Sequence, residues 1–247
     1  MLVLGLGRAT RLLRYLTGLP KSYVGEVVLG VETNTLDADG EVVATYDMAG
    51  VSLAAVRVAA AGFVGDIEQI PPMVSAVKVG GRRLHELARA GVEVERAPRP
   101  VTVTRFDVDE SSEPGVVRIE VDCSSGTYVR TLAADLGTAL GGGAHLRRLR
   151  RTAVGPFTVD AATPLDELTV AAVLPPAAAL AGYPQETVDA ETAAAVAHGA
   201  VLDDTLLDGR GWEGDGPWAV LGAAGDLLAV YERRPDGRVK PTVVMAG

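Results

Sequence analysis

The chain has 247 residues, 48% hydrophobic and 22% charged, the balance of a soluble globular protein with one large or two small domains. Its net charge of −9 argues against indiscriminate polyanion binding, and no apolar run is long enough for a membrane span. A single cysteine, Cys123, excludes an intrachain disulfide and fits a reducing cytoplasm; with only His85, His145 and His198 scattered beside it, no metal-ligand spacing exists.

In chain order, residues 1 to 6 read as a strand and Arg8 to Leu16 as a helix, with Leu12, Leu13 and Leu16 on one face. Leu2 to Leu6 is too short for a signal-peptide core and runs directly into Arg8, Arg11 and Arg14. Tyr23 to Val31 is strand-like, and Thr33 to Gly40 is a polar turn before Glu41 to Tyr46. Val51 to Ala61 can form a helix, after which Pro71-Pro72 forces an extended connection. Met73 to Val79 reads as a short strand ending at Gly80-Gly81, and Arg82 to Ala90 as a helix stopped by Gly91.

Pro100 to Asp109 and Val116 to Cys123 read as paired strands. In the second, Val117, Ile119, Val121 and Cys123 take one face, and Arg118, Glu120 and Asp122 the other. Arg130 to Leu140 is helical and ends at Gly141-Gly142-Gly143. A boundary falls near Pro175 to Pro184. Beyond it come a capped helix, Asp189 to His198, and short strands at Trp218 to Leu221, Asp226 to Tyr231 and Pro241 to Met245.

Charge is unevenly placed. Arg82, Arg83, Arg89, Arg96 and Arg99 fall close together, as do Arg147, Arg148, Arg150 and Arg151, while acids gather at Asp107 to Glu113 and Asp203-Asp204. A basic groove on an acidic body would favour one RNA shape over bulk polyanion binding. Strand alternation would turn Arg147 and Leu149 one way, Arg148 and Arg150 the other. Two decoys are set aside. Gly5-Leu6-Gly7 lacks the third glycine of a dinucleotide loop, and Asp107-Val108-Asp109-Glu110 reads as a solvated strand end.

The most informative stretch is Cys123-Ser-Ser-Gly-Thr-Tyr128-Val-Arg130-Thr-Leu-Ala-Ala-Asp135-Leu-Gly137. It joins an apolar strand to a helix start and sets an aromatic ring and a guanidinium two residues apart. A stacking ring beside a fixed cation suits a planar, anionic ligand such as a nucleotide. The plainer reading is a Tyr packed at a strand end and a surface Arg.

This segment resembles the TruB family of tRNA pseudouridine synthases, and other blocks extend the resemblance in order. Lys21-Ser22-Tyr23 is similar to that family's Lys-x-Tyr motif, and Thr33-Asn-Thr35-Leu-Asp37-Ala-Asp39-Gly40 to its Thr-x-Thr-x-Asp-x-x-Gly turn. Gln69-Ile-Pro71-Pro72-Met-Val-Ser75-Ala76-Val-Lys78 resembles its Gln-x-Pro-Pro-x-x-Ser-Ala-x-Lys segment. His145-Leu-Arg-Arg-Leu149-Arg150-Arg151-Thr-Ala-Val-Gly155-Pro156-Phe157 resembles its Leu-Arg-Arg-x-x-x-Gly-x-Phe segment.

The resemblance implies an α+β fold: a mixed, mainly antiparallel sheet with flanking helices and a thumb insertion at about 66–91, spanning residues 1–182. A small β-rich, PUA-like RNA-binding domain would follow at 183–247. The implied activity is conversion of uridine-55 in the tRNA T-loop to pseudouridine by base flipping and an aspartate nucleophile, without cofactor or metal, in a cytoplasmic monomer. Tyr23 would be the active-site ring and a proton-transfer candidate, Tyr128 would pack on the catalytic carboxylate and base edge, and Leu149 would give apolar contact. Lys78, Arg82, Arg83 and Arg89 on the thumb would meet T-arm phosphates, with Lys21, Asp37, Arg148 and Arg151 as further RNA contacts. A solvated basic helix face is the alternative for the thumb. Leu84-His85 stands where the family often has tyrosine.

The family's nucleophile lies in a Gly-Thr-Leu-Asp-Pro run just before a segment like Met1 to Thr10, and the present 247 residues contain no such run. A late gene start or a lost N-terminus is the expectation. Arg130, implied to pair with that aspartate, is expected to disrupt local folding or turn to water. A noncatalytic tRNA-binding protein on the same scaffold is the second reading, and an unstable fragment the third.

Overall fold

The computed structural model describes residues 1–92, 94–201 and 214–245, with the side chain of His85 outside the description. Asp203 and Asp204 lie outside the described residues. The chain forms two compact units. One holds Met1 with Leu19–Val154, the other Leu2–Gly18 with Gly155–Gly247.

In the first unit, the strands are β1 (Lys21–Leu29), β2 (Val31–Thr33), β3 (Val42–Thr45), β4 (Gly65–Gln69), β5 (Lys78–Val79), β6 (Arg82–Arg83), β7 (Arg99–Glu110), β8 (Val116–Cys123) and β9 (Ala144–Val154). Its helices are α2 (Leu53–Ala61), α3 (Leu84–Arg89) and α4 (Val129–Ala139); α1 (Leu13–Thr17) belongs to the second unit. Five strands form one antiparallel sheet in the order β9-β1-β8-β7-β4. The expected alternation in β8 holds: Val117, Ile119, Val121 and Cys123 are buried while Arg118 is exposed.

Val56 and Ala60 of α2 and Leu132, Ala133 and Leu136 of α4 pack on that buried face. Each fully buried leucine of this kind contributes about 1.5–3 kcal/mol by leaving water. The opposite face carries charge. Arg105 bridges Glu120 at 2.7 Å and Asp122 at 2.8 Å, so the solvated side of the sheet is laced by ion pairs rather than covered.

The second unit contains a 3-10 helix at Gly7–Leu12 continuing into α1, then β10 (Phe157–Thr158), β11 (Gln185–Thr187), α5 (Ala190–Ala197), β12 (Trp218–Leu221), β13 (Leu227–Arg233) and β14 (Val239–Val244). Its sheet runs β11-β12-β13-β14, with β11 and β12 parallel and the other pairs antiparallel. Both faces are covered. Trp218 and Val220 pack with Val196 of α5, whereas Ala219 and Leu221 pack with Leu12 and Tyr15. That is why Trp218–Leu221 is apolar at every position instead of alternating. Asp189 caps α5, its carboxylate accepting from Thr192 N at 2.8 Å.

Arg82 and Arg83, expected to open a helix, form β6 instead, and two further expectations differ. Residues 1 to 6 form no strand, and Leu2, Leu4 and Leu6 are exposed; an alternating pattern makes a strand only where a neighbour completes its hydrogen bonds, and no described strand pairs with it. Of Met73 to Val79 only Lys78–Val79 is extended into a strand. Pro71 and Pro72 carry no N–H to pair, and the backbone bends after them.

Candidate active site

The site is built around the start of α4. Tyr128 has extended backbone (φ −100°, ψ 102°), and the helix begins at Val129. Gln69, at the end of β4 and only 1% exposed, holds this junction from both sides. Its Oε1 accepts from Tyr128 N at 2.9 Å and its Nε2 donates to Tyr128 O at 3.3 Å. The Ser124 hydroxyl steadies the approach to it by accepting from Thr102 N at 2.9 Å.

Arg130, the second residue of the helix, reaches two other chain segments, the Thr35–Asp37 turn and Val74. Its Nη1 donates to Asp37 Oδ2 at 2.6 Å and to Thr35 O at 3.4 Å, and its Nη2 donates to Val74 O at 2.7 Å. The pair is only partly open to solvent, at 23% for Arg130 and 21% for Asp37. Asp37 Oδ1 accepts from the Thr35 hydroxyl at 2.6 Å and from Asp39 N at 3.2 Å. Burial opposes ionisation of Asp37, but the Thr35 hydroxyl and the Arg130 guanidinium outweigh it and hold the carboxyl below its ordinary range.

The turn that presents Asp37 is itself constrained. Leu36 adopts φ +65°, a conformation rarely taken by a branched side chain. It is held because Leu146 N donates to Leu36 O and Ala38 N donates to Leu146 O, each at 3.0 Å, so the turn is docked on β9.

Arg130 was expected to want a partner, and that expectation fails. The guanidinium is neither unpaired nor turned to water, because the Thr35–Asp37 turn supplies a carboxylate from 93 positions away. Asp37, expected at RNA, instead turns its carboxylate inward to that cation.

A second group of expected site residues sits on β1 and β9. Tyr23 lies opposite Arg151, and Gly25 opposite Leu149, so the Tyr23, Leu149 and Arg151 side chains share one face. Gly25 matters here: a Cβ at that position would stand 2.7 Å from Arg148 O and 3.3 Å from Leu149 Cδ1. The missing side chain lets Leu149 lie against β1 while remaining 43% exposed. Leu146, where the Asp37 turn docks, is three residues from Leu149, or about 10 Å along the strand.

Tyr23 packs partly against the core, and burial pushes its phenol above the usual range; Cys123 adds to this and Arg151 opposes it. Lys21 Nζ donates to Leu19 O at 2.8 Å, with its ammonium pKa lowered by burial and then by the Arg151 charge. Arg151 Nη2 donates to Met1 O at 3.1 Å.

The arginines of β9 do not alternate as expected. A register shift between Glu26 and Val27 leaves Arg147 as an extra residue, and its side chain turns to Glu26, 2.8 Å away, and to Glu113. Arg148, 77% exposed, and Arg150 remain on the solvent side. On the thumb, Lys78, Arg82, Arg83 and Arg89 are all exposed. Gly80 and Gly81, both at positive φ, turn β5 into β6 and place Lys78 directly opposite Arg83. Arg96 Nη1 donates to Pro71 O at 3.0 Å, and Arg130 binds Val74, so two guanidinia grip the base of this loop.

Residues 1–129 match the model of the TruB family pseudouridylate synthase N-terminal domain, and residues 130–181 that of the tRNA pseudouridylate synthase B C-terminal domain. The tRNA pseudouridine synthase B of Symbiobacterium thermophilum is 53% identical over 198 residues, covering 78% of this chain and 66% of that protein. That of Rhodococcus jostii is 44% identical over 241 residues, covering 95% of this chain and 77% of its own length. Among solved structures, a Cbf5-Nop10-Gar1 complex superposes with a TM-score of 0.68 at 25% identity, covering 98% of this chain and 70% of that one. An H/ACA RNP bound to a substrate RNA containing 2'-deoxyuridine gives 0.69 at 22% identity, covering 98% and 71%, a likeness of fold.

Proposed function

Because the chain belongs to the TruB family of pseudouridylate synthases, we propose that it takes the T-arm of tRNA and serves the isomerisation of uridine-55 to pseudouridine. The family match over residues 1–181 carries the reading. In that reaction the glycosidic C–N bond breaks and the same base rejoins the sugar through carbon. No atom is gained or lost, and no cofactor is required.

A uridine must leave its stack to be reached, at a cost of a few kcal/mol. Tyr23, half-buried on β1, offers a ring against which the flipped base stacks, offsetting about 1–3 kcal/mol. Leu149, beside it, closes the apolar side. Tyr128 borders the base at the α4 junction. Arg130 is the charge that keeps a nucleophilic carboxylate ionised and aimed, and Asp37 is its positioning residue: with both carboxylate oxygens engaged, Asp37 orients Arg130 rather than attacking sugar. Lys21, Lys78, Arg82, Arg83, Arg89, Arg148 and Arg151 meet phosphates, which place RNA without reading sequence. The module at 183–247 adds PUA-like RNA binding. The protein works as a cytoplasmic monomer; among the described residues no helix is long and apolar enough to cross a membrane.

The test is conversion of a T-stem-loop RNA carrying 5-tritiated uridine, read as tritium release. The alternative reading is a noncatalytic tRNA-binding protein on the same scaffold. Tight binding of the stem-loop without tritium release would select it. Neither binding nor release would sink both.

A further inference from the structure

Charge is segregated between two segments of the second unit, while residues 214–245 carry both signs. Residues 155–201 carry Asp160, Asp166, Glu167, Glu186, Asp189 and Glu191 with no lysine or arginine, whereas residues 2–18 carry Arg8, Arg11 and Arg14 with no acid. The three arginines are spaced by three, and all are exposed. Gly7–Leu12 is a 3-10 helix, whose three residues per turn set Arg8 and Arg11 one above the other, about 6 Å apart; α1 carries Arg14 one turn further. Leu12 and Tyr15 occupy the other face and are buried on the sheet, so the arginine ridge has one direction in which to point.

The ridge is held in place. Arg11 donates to the Val244 carbonyl, and the Arg14 guanidinium lies 5.3 Å from the centre of the Tyr15 ring. The Tyr15 hydroxyl in turn lies 2.6 Å from Thr242 Oγ1, so the helix runs beside β14. Preset side chains lose less entropy on binding than free ones.

We propose that Arg8, Arg11 and Arg14 form a backbone-binding ridge for RNA, taking successive phosphates of one strand, outside the pocket around Arg130. The inference rests on the reading that this chain binds RNA, and adds a contact surface on the second unit. It commits to a phosphodiester strand because the cations form a line at regular spacing.

The experiment is fluorescence-anisotropy titration of the full chain with a complete tRNA transcript across a salt series. Three cations on phosphates contribute about 2 to 3 to the slope of log K against log salt. The R8Q/R11Q/R14Q variant is expected to lose that much slope and roughly ten- to hundred-fold affinity near 0.1 M salt. R8K/R11K/R14K should retain most of both. Because Arg11 also binds Val244, R8Q/R14Q is measured in parallel, with an expected slope loss of about 1.5. An unchanged slope in both glutamine variants overturns the ridge, as does a loss confined to anionic phosphatidylserine vesicles. If wild type binds no tRNA at all, the RNA reading itself falls; if K78Q/R83Q weakens binding while the ridge variants do not, only the ridge does.

Discussion

Arg130 and Asp37 stand 2.6 Å apart across 93 residues of sequence, and the pair joins the α4 helix to a turn docked on the far edge of the sheet. Breaking it from one side leaves a charge with little solvent to receive it. We expect Asp37→Asn to cost about 1–3 kcal/mol, below the 3–5 of a fully buried pair because about a fifth of each side chain is exposed. Thermal melts of D37N, R130M and the double variant measure this. Additive single losses would show the pair to be uncoupled.

The same pair has a pH signature. Its surroundings depress the folded pKa of Asp37 below the unfolded value, near 3.9. The resulting stability is present above that unfolded value and is lost as pH falls through the folded one. The stability difference between wild type and D37N should therefore be constant from pH 7 to about 5 and shrink below about 4. Urea midpoints taken across that range check it; a gap that widens on acidification would contradict the assignment.

The thumb hairpin opposes Lys78 to Arg83, two like charges on facing residues, an arrangement unfavourable in the free protein. Lys78→Glu turns it into an attractive pair. We expect the variant to be as stable as wild type, or up to about 1 kcal/mol more so, yet to bind T-stem-loop RNA more weakly, with a salt slope lower by about 1. Stability and affinity should thus move in opposite directions; unchanged affinity would remove the thumb from the RNA surface.

Gln69 satisfies both backbone groups of Tyr128. Leucine would fill similar volume but strand the Tyr128 N–H, at about 1–3 kcal/mol, while Tyr128 O keeps the Leu132 N–H at 3.1 Å. Hydrogen exchange should locate the damage: the first turn of α4 opens in Gln69→Leu while amides of α2 keep their protection. Uniform loss of protection would mean that Gln69 is only a core residue.

The paired strands β7 and β8 were legible because alternation is local: Val117, Ile119 and Val121 declare their face without reference to anything distant. The helix carrying Arg130 was legible for the same reason, from leucine spacing and the following glycines. What could not be read is where side chains meet across the sheet. Asp37 belongs to a polar turn, and only the docking of Leu36 on Leu146 aims its carboxylate at Arg130. Arg147 left the expected face because one extra residue in β9 reverses alternation, and no residue type announces a bulge there. Gln69 stands in a motif that assigns it no role, although a glutamine ending a strand is a buried amide in search of partners.

The sheet of the second unit is closed by the first helix of the chain, with Tyr15 hydrogen-bonded to a residue 227 positions later. On the ribosome, that helix emerges on the order of ten to fifty seconds before the strand it covers. Until then Leu12 and Tyr15 have no permanent cover, and the sheet cannot close without a helix made 227 residues before its last strand. A chaperone that shields newly exposed apolar helices would find its substrate here, well before the sheet itself is made.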